Sequence, residues 1–457
     1  MITRIKGNAH WRASDIVAAA KLATRATVGV TNIVEEVHQA VLGTMGFKGK
    51  AKRTNATGTR ATETTGAQTA TANTTAGLTG AVYDAIRTIT GWVGGAVDLT
   101  DRAVRPLLNS SVSEQATRHG SAQREAVVAA LNGVIGDRMA GENNPLATKM
   151  SLRFQREPFD LTNVALKASI SEVSGRVNLK PVKSKILLVI HGLCMNDLQW
   201  SSEPNAPGEE SMNHAELLAK TFGYSAIYVR YNTGLNIATN GQELARQLDA
   251  LTLACPKIRE INVLTHSMGG LIIRSALHAA QLNQAALNQA TQIRSLAQQA
   301  GVQAKQKPPW QSLVKRVVFL GTPHHGAPLE RAGAWIDLLL GSTPFSAPFK
   351  RLTQLRSAGI TDLRYGHVST DLQPVPLPPH IHFLSVAATT AGKRSFMADR
   401  LLGDGLVPLH SAQGIHSYSA KTLNFPADNQ IIFYKMNHME LLTRAEVSDQ
   451  LLVWFKR

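Results

Sequence analysis

The sequence has few cysteines, few aromatic residues and no long apolar run. Its 457 residues include only Cys194 and Cys255 as cysteines, which excludes a disulfide scaffold and predicts two free thiols. No apolar run reaches the roughly 18 residues of a membrane-spanning helix. The polar N-terminus also lacks the apolar core of a secretory signal. These absences predict a cytoplasmic location, with peripheral membrane contact left open.

Acidic residues are scarce relative to basic ones. The chain has 48 Lys and Arg against 32 Asp and Glu, a formal net charge of +16. Such an excess attracts nucleic acid, anionic lipid or an acidic surface, and the count does not choose among them. The basic cluster from Lys48 to Arg53 lacks the interleaved aromatic residues of a nucleic-acid module. We therefore expect no nucleic-acid partner.

Changes of composition divide the chain into four segments. Residues 1–47 space their apolar residues as an amphipathic helix does, and residues 48–77 are a Thr-, Ala- and Gly-rich linker. Residues 78–180 are predicted to be a helical region and a connection, with one helix from Ala122 to Met139. Residues 181–457 form the predicted catalytic domain. The N-terminal helices either pack on protein or bind a bilayer or hydrophobic granule, and the sequence leaves both open.

Six short apolar runs follow residue 180 and alternate with amphipathic helices. Runs of this length between Gly, Pro and Asn are typical of strands buried on both faces of a parallel sheet. Their alternation with helices predicts an α/β fold with a doubly wound, mostly parallel sheet, whose ligand site lies beyond the carboxyl ends of the strands. The runs are Ile186–Ile190, Ala226–Tyr231, Glu260–Leu264, Arg316–Leu320, His380–Ala387 and Gln430–Met436.

A serine lies between the third run and a predicted helix. Ser267 has small neighbours in Thr-His-Ser-Met-Gly-Gly, as in a nucleophile elbow, where a sharp turn exposes the serine hydroxyl. Thr265 departs from the usual glycine at the first position of that motif. The motif alone occurs by chance, but its place after a buried strand makes Ser267 the candidate nucleophile.

A serine nucleophile needs a base and an acid that orients the base. Asp404 and His438 follow the last two runs in the chain order Ser, acid, His that this arrangement requires. We expect His438 to be the base and Asp404 the acid, and His266 to be structural. Other candidates for the acid are Asp399 and Asp362, and other candidates for the base are His410 and His416.

Acyl transfer also needs hydrogen-bond donors for the developing oxyanion. The first run ends in His-Gly-Leu-Cys, where Gly192 allows close approach and the amide of Leu193 can point at the oxyanion. The second donor is the amide of Met268, directly after the nucleophile. The sequence thus predicts an oxyanion hole made by Leu193 and Met268.

An apolar insertion at about residues 322–378 is placed to cover the site. His191, Trp335 and Leu339 are the candidate substrate-pocket residues. The alternative is an ordinary packed excursion. Two adjacent histidines near its start lack the spaced partners of a metal site, so no metal is expected.

The segment from Lys183 to Lys456 resembles the α/β-hydrolase-fold serine lipases and esterases, and most of all the bacterial hydrolases grouped with GPI inositol-deacylase-like proteins. The resemblance implies hydrolysis of carboxylic esters, with lipid esters expected, through an acyl-enzyme on Ser267 and without a cofactor. Two alternatives stay open: a membrane- or granule-surface protein that uses the domain as a scaffold, and a thioesterase or polyhydroxyalkanoate depolymerase. The matching stretches are Val189–Leu193, Thr265–Gly270, Leu320–Pro328, Gly403–Pro408 and Asn437–His438.

Overall fold

The computed structural model describes residues 122–159, 182–200, 213–297, 309–328, 357–392 and 403–457. Two compact units divide the chain, and the larger comprises Val128–Asn143, Ala147–Trp335 and Thr353–Arg457. The other unit lies almost wholly outside the described residues. The helix predicted for residues 1–47 and the linker predicted for residues 48–77 also lie outside them. The larger unit contains the sheet and is described below.

Eight strands form one sheet in the larger unit. The strands are β1 Ser151–Phe154, β2 Glu157–Pro158, β3 Lys185–Ile190, β4 Ser225–Arg230, β5 Glu260–His266, β6 Val314–Leu320, β7 His382–Thr389 and β8 Gln430–Tyr434. Their order is β2-β1-β4-β3-β5-β6-β7-β8. Strands β3 to β8 pair in parallel, and β1 is antiparallel to both its neighbours. The six predicted runs are confirmed as β3 to β8, with ends shifted by one or two residues.

The described residues include eight α-helices. They are α1 Ala122–Gly141, α2 His214–Phe222, α3 Ile237–Ala254, α4 Met268–Ala297, α5 Trp310–Leu313, α6 Ala358–Tyr365, α7 Leu409–Ala412 and α8 Ala445–Phe455. The Gln- and Ala-rich stretch that follows Leu282 continues α4 as helix. No helix within the described ranges is long and apolar enough to cross a membrane. The cytoplasmic location and the peripheral contact stay predictions.

The core lies at the middle of the sheet. In β3, every residue after Lys185 is buried, and β5 is buried from Ile261 to His266. These strands are flanked by parallel neighbours on both sides, so both of their faces bury apolar side chains. Because β3 and β5 to β8 run in the same direction, the segments that follow them meet at one edge of the sheet. The candidate site is at that edge.

The sheet begins before the domain boundary predicted at residue 181. The hairpin of β1 and β2 pairs with β4, and its residue Leu152 is buried. Asp197 receives the guanidinium groups of Arg153 and Arg230, and thereby joins the hairpin to β4 and to the loop after β3. The hairpin lies within the predicted helical region because its strands are too short to give a clear alternating pattern.

Helix α1 packs at the same sheet edge. Its residue Gly136 accepts a hydrogen bond at 2.9 Å from the Asn232 side chain, in the turn after β4. Gly133 accepts one at 2.7 Å from Ser357, the residue that caps α6. These described contacts of α1 are with protein, and whether the N-terminal helices also bind a bilayer or granule stays a prediction.

Candidate active site

Ser267 lies alone in the turn between β5 and α4. Its φ is +52°, in the left-handed region that non-glycine residues adopt at a cost of about 1–2 kcal/mol. The backbone amide donates to Leu320 O at 2.8 Å, which ties the turn to the end of β6. Such a sharp turn between strand and helix turns the serine side chain out of the sheet, as nucleophilic attack requires.

Thr265 is accommodated two residues before the candidate nucleophile. Its hydroxyl donates to Val318 O on β6 at 2.8 Å, and the side chain is buried. A buried hydroxyl without an acceptor would destabilise the strand, and this hydrogen bond removes that cost. The departure from glycine at this position therefore leaves the turn at Ser267 intact.

The carboxylate of Asp404 makes two different sets of hydrogen bonds. Oδ1 accepts from the amides of Leu406 at 3.0 Å and Val407 at 2.8 Å, within the turn that follows β7. Oδ2 lies 2.6 Å from Nδ1 of His438. Both residues of this pair are fully buried. The structure places Asp404 both in a turn and against His438.

His438 is held by its backbone as well as by its ring. Its amide donates to Asp404 O at 3.1 Å. The side chain of Asn437 accepts from the amides of Met439 and Glu440, each at 3.0 Å, and so fixes the turn after β8. With Nδ1–H donating to Asp404, Nε2 is the basic nitrogen of the neutral imidazole.

Ser267 and His438 share their neighbours. A Cβ built on Gly321, directly after Leu320, would lie 3.0 Å from Nδ1 of His438, so β6 approaches the imidazole at the point where it binds the Ser267 amide. Among the described residues, Ser267 Oγ has no hydrogen-bond partner. The bond between a nucleophile and its base commonly tightens only when substrate binds. The pair therefore lies at one edge of the sheet, where the Ser267 side chain is buried.

His266 packs directly against His438. The two ring centroids are 4.6 Å apart, and Nε2 of His266 lies 3.1 Å from the backbone oxygen of His438. Burial, followed by the nearby His438, lowers the pKa of His266 well below its ordinary value, so the ring is neutral. His266 is predicted to be structural; the structure places its ring against the candidate base, and its role stays a prediction.

His191 is buried beneath the loop after β3. Its ring stacks on Tyr231 with centroids 4.4 Å apart, and its Nδ1 donates to Gly192 O at 2.9 Å. Burial lowers the pKa of His191 to about 4. The residue supports the turn that carries Leu193, and its assignment to the substrate pocket stays a prediction.

The two candidate oxyanion donors flank Ser267. A Cβ on Gly192 would lie 3.0 Å from Cβ of Ser267, so only a glycine lets the loop after β3 come this close. Leu193 follows directly. Met268 is the first residue of α4, and the amides of a first helical turn have no acceptor within the helix. Both amides therefore belong to segments that adjoin the candidate nucleophile.

The remaining predicted residues fall into two groups. Trp335, Leu339 and Asp399 lie outside the described residues. Residues 329–356 of the predicted cap also lie outside them. The carboxylate of Asp362 accepts from the amide of Ile237, at the start of α3, at 2.9 Å. It is therefore held at α3 and does not contact His438. The structure does not bring Asp362 together with the Asp404 and His438 pair.

No protein-family model and no curated protein matches the chain. Solved structures that are similar to it include the mature form of a Bacillus licheniformis lipase, at 19% identity and a TM-score of 0.36, with 60% of this chain and 93% of that one covered. A Staphylococcus hyicus lipase is 12% identical, with a TM-score of 0.34 and coverage of 60% and 94%. A Thermogutta terrifontis esterase is 14% identical, with a TM-score of 0.32 and coverage of 60% and 90%.

The strand order and the turn at Ser267 decide the fold. Five consecutive parallel pairs, an antiparallel strand next to β4 and a left-handed serine between β5 and α4 are all present. The chain has the α/β-hydrolase fold. In this α/β-hydrolase sheet, the segments after β3, β5, β7 and β8 carry the predicted oxyanion turn, nucleophile, acid and base.

Sequence reasoning missed one residue that holds the site together. Asn437 accepts from the amides of Met439 and Glu440 and so fixes the backbone beside His438, just before the short helical turn Glu440–Leu442. Asn side chains commonly accept from backbone amides two or three residues further on, so this local contact could have been found from the sequence. The contact of His266 with His438 could not have been found from the sequence, because it depends on where the end of β8 lies relative to the end of β5.

Proposed function

We propose that this protein is a serine hydrolase that cleaves carboxylic esters. The observation that carries the proposal is the buried 2.6 Å contact between His438 Nδ1 and Asp404 Oδ2, at the sheet edge where Ser267 occupies a left-handed turn. A base oriented by an acid, next to a serine, is the arrangement that makes an otherwise weak hydroxyl nucleophilic.

The proposed reaction proceeds in two halves. Ser267 Oγ attacks the ester carbonyl carbon, and His438 Nε2 takes its proton. The tetrahedral intermediate then expels the alcohol, which receives that proton from His438, and leaves an acyl group on Ser267. Water attacks the acyl-enzyme, His438 again takes and returns a proton, and the carboxylic acid departs. Asp404 holds the imidazole tautomer and stabilises the imidazolium without itself being protonated.

The amides of Leu193 and Met268 are the proposed donors to the oxyanion. Met268 stands at the N-terminus of α4, where the helix dipole favours negative charge. One such donor is typically worth about 3 kcal/mol of barrier. The oxyanion forms only after attack, so these amides stabilise the transition state more than the bound ester.

Lipid esters are the proposed substrate class within this chemistry. The net charge of +16 favours approach to an anionic lipid surface, where each basic residue near the surface adds about 1 kcal/mol. The predicted pocket residues Trp335 and Leu339 are apolar and suit an acyl chain. Acyl-chain preference then depends on the insertion that carries them.

Substitution of Ser267 by alanine tests the reaction. On esters of acyl length from two to sixteen carbons, with a thioester series in parallel, Ser267→Ala should lower the turnover rate about 10⁴- to 10⁶-fold. Ser385→Ala is the matched control, because Ser385 is also buried but hydrogen-bonds Ala412 O on another part of the fold. Equal turnover by Ser267→Ala and the unaltered protein would contradict the proposal and favour the alternative in which the domain serves as a scaffold.

A further inference from the structure

A cavity of about 530 Å³ lies beside the loop after β6. Its walls come from four places: Arg274 on α4, the two histidines His324 and His325 after β6, the stretch 365–377 after α6, and the loop 416–424. None of the described residues that line it belongs to the Ser267, Asp404 and His438 set. The volume is within the range of small-molecule sites.

A buried cation lies in the wall of this cavity. Arg274 is 5% exposed and donates to His324 O at 3.3 Å and to Val375 O at 3.1 Å. Its Nε has no acceptor among the described residues, and none of the ion pairs found among them includes Arg274. Burial lowers the pKa of Arg274 to about 10, so the group stays charged at neutral pH. A buried charge without a counter-ion is costly, and an anionic ligand would remove that cost.

The neutral imidazole of His324 supplies a further donor in the same wall. Nδ1 of His324 lies 3.4 Å from Nη1 of Arg274, which can only donate. Nδ1 is therefore the acceptor, and the ring proton is on Nε2, a buried atom that has no partner among the described residues. Arg274 Nε and His324 Nε2 are thus two buried, unsatisfied N–H donors on residues that line one cavity.

No opposing charge lines the cavity among the described residues. Lys421 adds a second cation to the lining, and neither Asp nor Glu is present in it. Asp371 belongs to the stretch 365–377 but is not one of the lining residues; it is exposed and accepts from Ser369 at 2.6 Å. No group of three metal-ligating side chains occurs in the described ranges, so the histidines do not form a metal site there.

Two of the cavity's lining residues carry large, exposed apolar side chains. Tyr365 is 53% exposed and Leu372 is 59% exposed. Close to the lining residue His416 in sequence, Ile415 and Tyr418 are also large and exposed. Exposed apolar side chains in the lining of a cavity offer surface to an apolar ligand.

We propose that this cavity binds an amphipathic anion, an apolar chain that ends in one carboxylate or phosphate group. The head group accepts from Arg274 Nε and His324 Nε2, and the chain lies along Tyr365 and Leu372. The guanidinium fork suits either oxyanion, because both present two oxygens in one plane to its donors. The site needs no turnover at Ser267 and is independent of the proposed esterase activity.

Calorimetric titration of the full chain carrying Ser267→Ala tests the proposal with four probes: decanoate, decyl phosphate, decanol and inorganic phosphate. At least one of the two charged ten-carbon probes should bind with a Kd at least tenfold below that of decanol and of inorganic phosphate. The tighter of the two identifies the head group. Equal binding of decanol, or binding of neither charged probe, contradicts the proposal.

Two further variants place the binding in this cavity. Leu372→Glu, at an exposed position in the cavity lining, should weaken the tighter probe at least tenfold, and Leu253→Glu, equally exposed on α3, should leave it unchanged. Arg274→Gln should abolish the preference for the charged probes over decanol, and if that variant does not fold, Leu372→Glu decides alone. Unchanged affinity in Leu372→Glu, or equal losses in both glutamate variants, overturns the assignment.

Discussion

Asp404 uses its two carboxylate oxygens for different purposes. Oδ1 closes the turn with the amides of Leu406 and Val407, and Oδ2 meets the His438 ring at 2.6 Å. Two backbone amides and one imidazole N–H therefore surround a single buried carboxylate. The turn fixes the direction in which Oδ2 points, and Oδ2 fixes the tautomer of the imidazole.

Replacement of Asp404 by Asn should lower kcat/KM for an ester about 10⁴-fold, because an amide has one acceptor oxygen and cannot serve both the turn and the imidazole. Steady-state hydrolysis of a short p-nitrophenyl ester measures the change. Asp362→Asn is the matched control, since Asp362 caps α3 and was the other described candidate for the acid. A larger loss of kcat/KM in Asp362→Asn than in Asp404→Asn would indicate that Asp362, and not Asp404, is the acid.

Individual residues differ in how far the sequence predicts them. Ser267 could be predicted because a local pattern, strand then small residues then helix, specifies its turn. Chain order favoured Asp404 as the acid and kept Asp362 as another candidate, and only the fold shows that Asp404 contacts His438 while Asp362 binds the amide of Ile237. The unsatisfied donors of Arg274 and His324 had no sequence signal, since they depend on which carbonyl groups approach them.

Helix α2 depends on a cap from the residue that precedes it, Asn213. Asn213 Oδ1 accepts from the amides of Ala215 at 2.9 Å and Glu216 at 3.1 Å, two donors that the helix itself cannot satisfy. The helix ends at Gly223, whose φ of +74° is the left-handed conformation that glycine adopts freely. Both ends of this short helix are therefore specified by single residues.

Asn213→Ala should reduce the free energy of unfolding by about 1 kcal/mol, the usual cost of losing an N-cap side chain. Urea unfolding followed by circular dichroism measures it. Asn213→Asp, which keeps an acceptor oxygen near a helix N-terminus, should restore most of the lost stability. A loss as large in the aspartate variant as in the alanine variant would show that the side chain acts through some other contact.

Elements with a long apolar pattern were predicted, and a short one was missed. The strands β3 to β8 stand out because burial on both faces requires consecutive apolar residues. The strands β1 and β2 have four and two residues, and they join the sheet through the pairing of β1 with β4 and through the ion pairs of Asp197 with Arg153 and Arg230. In a sequence, charged residues that form ion pairs between distant segments cannot be distinguished from charged residues that are exposed to solvent.

Several buried imidazoles make the whole molecule sensitive to acid. Burial lowers the pKa of His191 and of His214 to about 4, from an ordinary value of 6.5. Between these two values the unfolded chain holds the proton and the folded protein does not. Stability is therefore fully present above about pH 6.5 and is lost as the pH falls toward 4.

Lowering the pH from 7.5 to 5.0 should reduce the free energy of unfolding by about 2 kcal/mol for each of these two histidines. Urea unfolding at the two pH values measures the difference. His214→Gln should shrink it, because glutamine does not titrate and can still hydrogen-bond Ser448 and Leu441 O as His214 does. Substitution of the exposed His380 by Gln should leave the difference unchanged, and an equal effect of both variants would contradict the explanation.

The central claim is that Ser267 is a nucleophile activated by His438 and Asp404. Reaction with a fluorophosphonate, followed by peptide mass spectrometry, tests it most directly, because the reagent forms a stable adduct only on an activated serine. We predict one adduct, on the peptide that contains Ser267, whose formation is at least 10³-fold slower in Asp404→Asn. Labelling of another serine, or labelling of Ser267 at the same rate in Asp404→Asn, would contradict the account.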